Sequence, residues 1–216
     1  MKNRPKFWGA NVARQAQRRY LTDRKTQWDR IEEAKKATAE VFAICILAAL
    51  YDLYGIGESR LDKVADATNG LALRYEAVRS GPPKMVGGKK LSAYQAAESM
   101  IAAETGAYFP ADFVLPAHKM PKKRELMKLA IQRESAATVA RLYAFGIHEA
   151  LGFGADRIAC VMREAVENYR QFRDAADTGD YYGYSILAKK MGQILRTDCE
   201  VDEVGGEKPI FGDTVY

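Results

Sequence analysis

The most regular pattern along this chain is helical, because apolar residues recur three or four positions apart. Val41, Ile44, Cys45 and Ala48 form one such stripe, and a stripe with this spacing marks the face that a helix buries. Neighbouring positions are apolar as well, which predicts a helix near the centre of the core. No segment alternates apolar and polar residues in the manner of a strand. The pattern therefore predicts an all-α protein.

A segment with a Gly-X-Gly turn occurs twice, at an offset of 97 residues. Residues 53–61 match residues 150–158, and the apolar positions on both sides match as well. Beyond the Gly/Pro-rich linker at residues 80–88 the match resumes at an offset of 93. Linkers of this composition are common places for changes in length. We therefore expect a tandem duplication of a three-helix unit, with Gly-X-Gly turns between its helices.

Each unit is predicted to contain two long helices and a short one. The long first helices are expected at about residues 26–54 and 122–151. A glycine that follows can adopt the left-handed conformation that ends one helix and starts the next at an angle. The short third helices are expected to open with Ser92 and Ser185, whose hydroxyls would cap first-turn amides. Between the units, residues 109–115 are expected to form an extended connector.

The predicted organisation has five consecutive parts. They are a basic N-terminal arm at residues 1–25, a first helical repeat at 26–108, a connector at 109–121, a second helical repeat at 122–199, and an acidic C-terminal tail at 200–216.

Positive charge is concentrated at the N-terminus. Residues 1–36 contain eleven lysines and arginines against four acids, whereas the whole chain has a net charge of +5. Aromatic residues lie between the cations, a composition that suits phosphate backbones and stacked bases. The candidate nucleic-acid-binding residues of the arm, of which the first three are expected to share a helical face, are Arg14, Arg18, Arg19, Arg24 and Lys25.

Cysteine usage and hydropathy predict a cytoplasmic protein without a membrane anchor. The three cysteines are far apart and form no Cys-X-X-Cys pair, which fits a reducing compartment. The most apolar stretch, residues 41–50, is half the roughly 20 residues that a bilayer span needs. No apolar segment follows the first basic residues, as one would in a secretory signal.

The chain shows no recognisable catalytic set, cofactor motif or metal site, so we expect it not to be an enzyme. It has two histidines, His118 and His148. The sequence pattern predicts no nucleophilic serine or cysteine beside either of them. The neighbouring His148 and Glu149 correspond to Tyr51 and Asp52 in the first repeat. This substitution favours packing or exposure at a helix end over metal binding.

The two glycine turns, with apolar residues four and seven positions after the second glycine, resemble the helix-hairpin-helix motif of DNA-repair and recombination proteins. In that family the turn brings backbone amides against a DNA phosphate. Glu58 and Asp156 depart from the motif, because they place negative charge in the same first turns. The alternative is that the turns only join packed helices, with Ile56 and Phe153 in the core. The positions that the resemblance implies as phosphate contacts are Gly55, Gly57, Arg60, Gly152, Gly154 and Arg157.

Each whole unit is similar to a group of small, poorly characterised prophage proteins of Firmicutes. The shared pattern is a helix ending in an acid, then Gly-Ile-Gly or Gly-Phe-Gly, Arg-Leu or Arg-Ile, and later a Ser-capped helix ending near Glu-Thr-Gly. It covers most of residues 38–106 and 135–198. The resemblance implies a phage or mobile-element context and assigns no catalytic residues.

We therefore expect a non-enzymatic helical protein that binds nucleic acid or a nucleoprotein complex. The alternative is a protein-directed inhibitor or adaptor, for example an anti-defence factor such as an anti-CRISPR, that contacts a host or phage protein. Its candidate anchors are Tyr181, Tyr182 and Tyr184, since tyrosine is favoured at interfaces. These tyrosines could instead pack locally beside Gly179 and Gly183.

Overall fold

The computed structural model describes residues 8–86, 88–119 and 121–196, with the side chains of residues 8–28 and a few others excepted. Within these ranges the chain is mostly helical, which confirms the all-α fold class. The helices are α1 (Trp8–Tyr54), α2 (Glu58–Arg79), α3 (Ala93–Thr105), α4 (Leu126–Leu151), α5 (Ala155–Ala176) and α6 (Asp180–Leu195), with a 3-10 turn at Lys123–Glu125 before α4.

A short β-hairpin lies in the linker between α2 and α3. Strand β1 (Lys84–Val86) pairs antiparallel with β2 (Lys89–Leu91). Gly88, in the turn, has a φ of 77°, a conformation that tight hairpin turns require and that glycine adopts readily. The expectation that the chain contains no strand was therefore wrong at this linker.

Helix α1 begins at Trp8 instead of near residue 26, so that prediction was wrong. The polar sequence of residues 8–25 carries no clear apolar stripe, and helical periodicity alone therefore could not detect it. The basic residues from Arg14 to Lys25 therefore lie on the N-terminal half of α1, and the C-terminal half of the same helix lies in the core.

Of the two predicted serine caps, one is confirmed and one is wrong. The Ser92 hydroxyl accepts a hydrogen bond from the Gln95 amide at 3.2 Å, and the Gln95 side chain accepts one from the Ser92 amide at 3.0 Å. Ser185 lies inside α6, where its hydroxyl donates to the Tyr182 carbonyl. The residue before α6 is instead Gly179, with a φ of 157°, so the helix begins six residues earlier than a cap at Ser185 implies.

The core forms where α1 packs against α4 and α5, and α2 packs against α4. Helices α1 and α4 run parallel, because the Ser135 hydroxyl donates to the Lys35 carbonyl near one end and the Tyr54 ring meets Phe153 near the other. Phe42, among others between residues 41 and 50, is completely buried, as predicted for a central helix.

One helical segment, Asp29–Tyr54, is long and apolar enough to cross a bilayer by length and composition. Half of its apolar window is buried against the rest of the protein.

The predicted connector is confirmed as a segment without helix or strand at residues 109–115, but it is not extended throughout, because the Phe113 amide donates to the Pro110 carbonyl at 3.2 Å and closes a turn. It runs antiparallel to α4: the Arg141 guanidinium lies 4.4 Å from the Phe109 ring centre, and Arg133 donates to the Leu115 carbonyl at 2.9 Å. Phe113 lies against Phe42 of α1, with ring centres 5.8 Å apart. The connector therefore fills the space between α4 and the core helix α1.

Candidate nucleic-acid interface

The two Gly-X-Gly turns lie side by side at one end of the molecule. The Tyr54 ring before the first turn contacts Phe153 of the second edge-on, with ring centres 4.9 Å apart. Ile56 and Phe153, the middle residues of the turns, are 3% and 6% exposed and belong to one core cluster. Both are core residues, as the alternative interpretation of the turns expected.

The two turns have nearly the same backbone conformation. The first glycines, Gly55 and Gly152, have φ of 59° and 63°. The second glycines, Gly57 and Gly154, have φ of −88° and −84°, with ψ close to 180°. The first glycine therefore ends a helix in the left-handed region, and the second is the extended residue that precedes the next helix.

Backbone hydrogen bonds hold each turn in the same way. The Gly55 amide donates to the Tyr51 carbonyl at 2.8 Å, and the Gly152 amide donates to the His148 carbonyl at 2.9 Å. The residues that precede α2 and α5 are Gly57 and Gly154, which have no side chain to cap the first turn. First-turn amides at these ends are therefore not occupied by an N-cap side chain, and the helix dipole is positive there.

The predicted arginines lie beside these turns. Arg60 donates to the Gly55 carbonyl at 3.3 Å, and the Arg157 guanidinium lies 5.2 Å from the Phe153 ring centre. Both side chains are exposed, but Glu58 and Asp156 lie in the same first turns. The turns thus combine two uncapped helix ends and two arginines with two carboxylates that offset part of the positive potential.

Alanine substitutions are expected to separate the roles of the four glycines. Gly55→Ala and Gly152→Ala should each destabilise the protein by about 1–2 kcal/mol, because an L side chain is strained at these φ values. Gly57→Ala and Gly154→Ala are matched controls with ordinary φ and open space at the new Cβ, and they should cost less than about 0.5 kcal/mol. Urea unfolding measures all four, and equal losses would contradict the shared left-handed turn.

The basic positions of the arm lie on α1, although their side chains are outside the described part of the structure. At about 100° per residue, positions 18 and 25 lie within about 40° of position 14, whereas position 19 lies about 140° away. The expectation that Arg14, Arg18 and Arg19 share a face was therefore wrong. On a continuous helix Arg14, Arg18 and Lys25 share one face, and Arg24 lies away from it.

The structure does not bring the arm and the glycine turns together. Lys35 is level with Ser135 of α4, so α4 starts beside about residue 26 of α1. Residues 8–25 therefore form a length of α1, roughly 27 Å at 1.5 Å per residue, that extends past the N-terminal end of α4. The turns lie beyond the other end of α1, about 44 Å from Lys25 along the helix axis. The predicted site residues therefore form two separate surfaces.

His148 takes part in packing contacts. His148 stacks on Tyr108 with ring centres 4.3 Å apart, and its Nδ1 lies 2.9 Å from the Phe153 carbonyl oxygen. This confirms the interpretation of His148 as a packed residue at a helix end. Among the described residues, no group of three or more His, Cys, Asp or Glu side chains is placed to hold a metal ion.

The end of the connector is held on α5 by charged hydrogen bonds. The His118 Nε2 lies 2.7 Å from an Asp177 carboxylate oxygen, and Lys119 also contacts this carboxylate. Hydrogen bonds from His118 and Lys119 lower the pKa of Asp177 to about 2. The carboxylate is therefore ionised at neutral pH and anchors the connector.

The tyrosines considered as protein-binding anchors have different surroundings. Tyr184 packs edge-on against Phe172 with ring centres 5.5 Å apart, and Gly183 is buried against the same ring. Tyr182 is 57% exposed, and the Tyr181 side chain lies outside the described residues. Tyr184 is therefore packed locally, as the alternative interpretation expected. Of the two described tyrosines, Tyr182 is the one that exposes most of its surface to solvent.

Sequence reasoning missed a cleft of about 1010 Å³ between α1, α2 and α4. Small side chains open it, among them Ala39 and Ala43 of α1 and Ala72 of α2. Thr68 and Asn69 line it with side-chain oxygens that are buried and, within the described part of the chain, have no hydrogen-bond partner. The alanines at helical spacing are the sequence signal, but only the packing of three distant segments shows that they face one space.

Comparisons of the chain with protein-family models, with curated proteins and with solved structures found no match.

Proposed function

We propose that this chain is a non-enzymatic nucleic-acid-binding protein whose principal contact is the basic N-terminal part of α1. The observation that carries the proposal is the continuity of α1 from Trp8 to Tyr54. The cations of residues 8–25 therefore lie on the same continuous helix that enters the core. An α-helix has the dimensions that a DNA major groove accepts.

The charge of this segment supports phosphate contact. Residues 8–25 contain five lysines and arginines and one acid, Asp23. Arg14, Arg18 and Lys25 occupy about one-ninth of the helix circumference, so one phosphate backbone could meet all three. Association would be largely electrostatic and would weaken steeply with salt, because each contact releases counterions.

We further propose that the two halves of the body are copies of one three-helix unit. The matching φ angles of the turns support this, as do the equal lengths of α2 and α5, each of 22 residues. The buried residues after each turn also correspond, with Leu61 and Val64 in one half and Ile158 and Val161 in the other. In the duplicated body, the C-terminal part of α1 would be the first helix of one half and pack against α4 and α5 of the other, and the glycine turns would form a second, weaker phosphate site.

The proposed setting is the cytoplasm, in a phage or mobile element. Cys45 and Cys160 are free thiols, and burial raises the pKa of the Cys45 thiol far above its ordinary value. Such a cysteine acts as a small core hydrophobe, which is compatible with a reducing compartment.

The proposal predicts that the combined substitutions Arg14→Ala, Arg18→Ala and Lys25→Ala weaken binding to nucleic acid. Affinity at about 50 mM salt should fall by at least about tenfold, because three phosphate contacts are removed. Fluorescence anisotropy with a short DNA duplex, a single strand and an RNA hairpin measures the loss. The matched control removes the same charge from the exposed hairpin, through Lys84→Ala, Lys89→Ala and Lys90→Ala.

The outcomes distinguish the candidate surfaces. Equal losses in the two triple variants would mean that only the net charge matters, which contradicts a specific helix face. A larger loss from Arg60→Ala with Arg157→Ala would make the glycine turns the principal site. No binding to any of the three nucleic acids would reject the proposal and favour a protein-directed inhibitor.

A further inference from the structure

The connector fills a groove between α1, α4 and α5. Phe42 of α1 contacts Phe113 of the connector and Tyr169 of α5, at 5.8 and 6.0 Å between ring centres. Arg133 of α4 donates to the Leu115 carbonyl at 2.9 Å. Two side chains of the helices, Phe42 and Arg133, therefore hold the connector in place.

The helix contacts around this groove recur in the other half with the roles exchanged. Helix α4 packs against α2 as α1 packs against α5, and α3 packs against α2 and α4 as α6 packs against α5 and α1. In the duplication proposed above, on which this inference rests, α1, α2 and α3 correspond to α4, α5 and α6. The counterpart of the groove between α1, α4 and α5 is then the space between α4, α1 and α2. This space is the cleft described above, which the described residues leave open.

The helix residues of the filled groove have counterparts 97 positions away along the chain. For Phe42, Tyr169 and Arg133 these counterparts are Val139, Ala72 and Lys36, and all three line the cleft. Two aromatic rings are thus replaced by smaller side chains, which makes the cleft wider than the filled groove. A cation is kept at the position from which Arg133 binds the connector backbone.

The order of the chain identifies what would fill the cleft. The connector follows α3, which ends at Thr105, and the counterpart of α3 is α6, which ends at Leu195. Residues 197–216, which lie outside the described part of the structure, come after α6. The segment that corresponds to the connector is therefore part of this same chain.

Helix α6 also brings the chain to the corresponding place. After α3, Tyr108 stacks on His148 near the C-terminal end of α4. Lys190 of α6 donates to Asp52 near the C-terminal end of α1, at 2.7 Å. The chain that leaves each short helix therefore starts beside the end of the long helix along which it would run.

The length of chain after α6 is sufficient to reach the cleft. Ala43, the lining residue of α1 closest to Asp52 in sequence, lies nine residues before it, or about 14 Å along the helix. The fourteen residues 196–209 can span about 46 Å when extended. Residues 210–216 can therefore lie in the cleft without strain in the chain that precedes them.

Residues 210–216 repeat the sequence pattern of connector residues 109–115. They read Ile-Phe-Gly-Asp-Thr-Val-Tyr, and the connector reads Phe-Pro-Ala-Asp-Phe-Val-Leu. Both have aspartate at the fourth position, valine at the sixth, and apolar or aromatic residues at the first, second and seventh. The offset is 101, eight more than the offset between α3 and α6. The additional residues fall in the acidic stretch that follows α6.

Composition separates this segment from that acidic stretch. Residues 198–207 contain five acids and no lysine or arginine, whereas residues 208–216 contain one lysine and one aspartate. The segment is thus mainly apolar. It suits a cleft whose lining includes Leu73, which is 73% exposed, because burial of apolar surface is favourable.

We propose that residues 210–216 of this chain occupy the cleft, in the way that the connector occupies the opposite groove. Ile210 and Phe211 supply the apolar contact, and Lys36 binds the backbone of the segment as Arg133 binds that of the connector. The cleft is therefore a docking site for the protein's own chain.

Disulfide trapping in the full-length chain tests the position of the segment. Thr214 lies 101 residues after Phe113, which contacts Phe42, so Thr214 should lie beside Val139. Val139→Cys with Thr214→Cys should form a disulfide within one chain under mild air oxidation. The cross-linked fraction should exceed that of Asp66→Cys with Thr214→Cys at least about fivefold, because docking raises the local concentration of the second thiol. Asp66 is the matched control, since it is an exposed residue of α2 that does not line the cleft.

The background for these variants is Cys160→Ser with Cys199→Ser. It leaves Cys45 as the remaining native thiol, and Cys45 is completely buried. A circular-dichroism melting curve confirms that each variant is folded.

Accessibility of the cleft provides a second measurement. In the same background, Ala72→Cys should react with a maleimide at least about tenfold faster when Ile210→Ser and Phe211→Ser are added, because a covered thiol reacts only when its cover opens. Val201→Ser with Val204→Ser is the matched control in the acidic stretch and should leave the rate unchanged.

Three results would overturn the proposal. They are equal cross-linking of the two cysteine pairs, a maleimide rate that Ile210→Ser with Phe211→Ser does not change, and a disulfide that joins two chains. The last result would place the segment in the cleft of a second copy. Because no nucleic acid is present, these results are independent of the proposed role of the basic part of α1, and the glycine variants test the turns of the duplicated unit separately.

Discussion

Gly146→Ala is expected to destabilise the protein by about 2–3 kcal/mol. Gly146 is a buried residue of α4, and a Cβ added there would clash with the Thr68 hydroxyl and lie 2.6 Å from the Val64 carbonyl oxygen of α2. One of the clashing atoms is the Val64 backbone carbonyl oxygen, so rotation of a side chain cannot relieve the clash. Helices α2 and α4 must therefore move apart. This steric cost exceeds the helix propensity of about 1 kcal/mol that alanine gains over glycine.

Urea unfolding of two matched variants checks this account. Gly70→Ala lies on α2 in open space and should stabilise the protein by about 0.5–1 kcal/mol. Adding Thr68→Ala to Gly146→Ala removes the clash with the hydroxyl but leaves the one with the Val64 carbonyl, so it should restore only part of the loss. Wild-type stability of Gly146→Ala alone would show that α2 and α4 do not meet at this glycine.

Phe42→Ala is expected to cost about 3–5 kcal/mol, which makes it the other large effect. The Phe42 side chain is completely buried between Phe113 of the connector and Tyr169 of α5. Removal of the Phe42 ring leaves a cavity. The neighbouring rings of Phe113 and Tyr169 lie on separate segments, so they cannot both move in to fill it. Thermal or urea unfolding measures the loss directly.

The corresponding substitution in the open cleft provides the control. Val139 occupies the position 97 residues after Phe42 and is only partly buried. Val139→Ala should cost about 1 kcal/mol, because two partly buried methyl groups contribute less than a completely buried ring. Similar losses for the two variants would contradict the difference between a filled groove and an open one.

The elements that could be predicted from the sequence are those with a local physical cause. The bend after Tyr54 follows from glycines that can enter the left-handed region, and the cap at Ser92 follows from a Ser-X-X-Gln sequence. The absence of helix from the connector follows from Pro110 and Pro116 near its ends, whereas the turn at residues 110–113 was not predicted. The buried faces of α1 and α5 follow from apolar residues at helical spacing.

The elements that could not be predicted depend on contacts between distant segments. The cleft exists because α1, α2 and α4 enclose Ala72 and Val139, and no local pattern distinguishes these residues from ordinary helix positions. The start of α6 depends on the turn at Gly179, and Ser185 offered a plausible but incorrect cap. The separation of the basic residues from the glycine turns follows from the length of α1, which the polar sequence of residues 8–25 did not indicate.

The salt dependence of nucleic-acid affinity tests the proposed role of α1 most directly. If Arg14, Arg18 and Lys25 contact phosphates, these three residues should contribute about −3 to the slope of log affinity against log salt for a DNA duplex. The slope should therefore become less steep by about this amount when the three residues are replaced with alanine. A slope near zero, or the same slope in both proteins, would contradict the proposal.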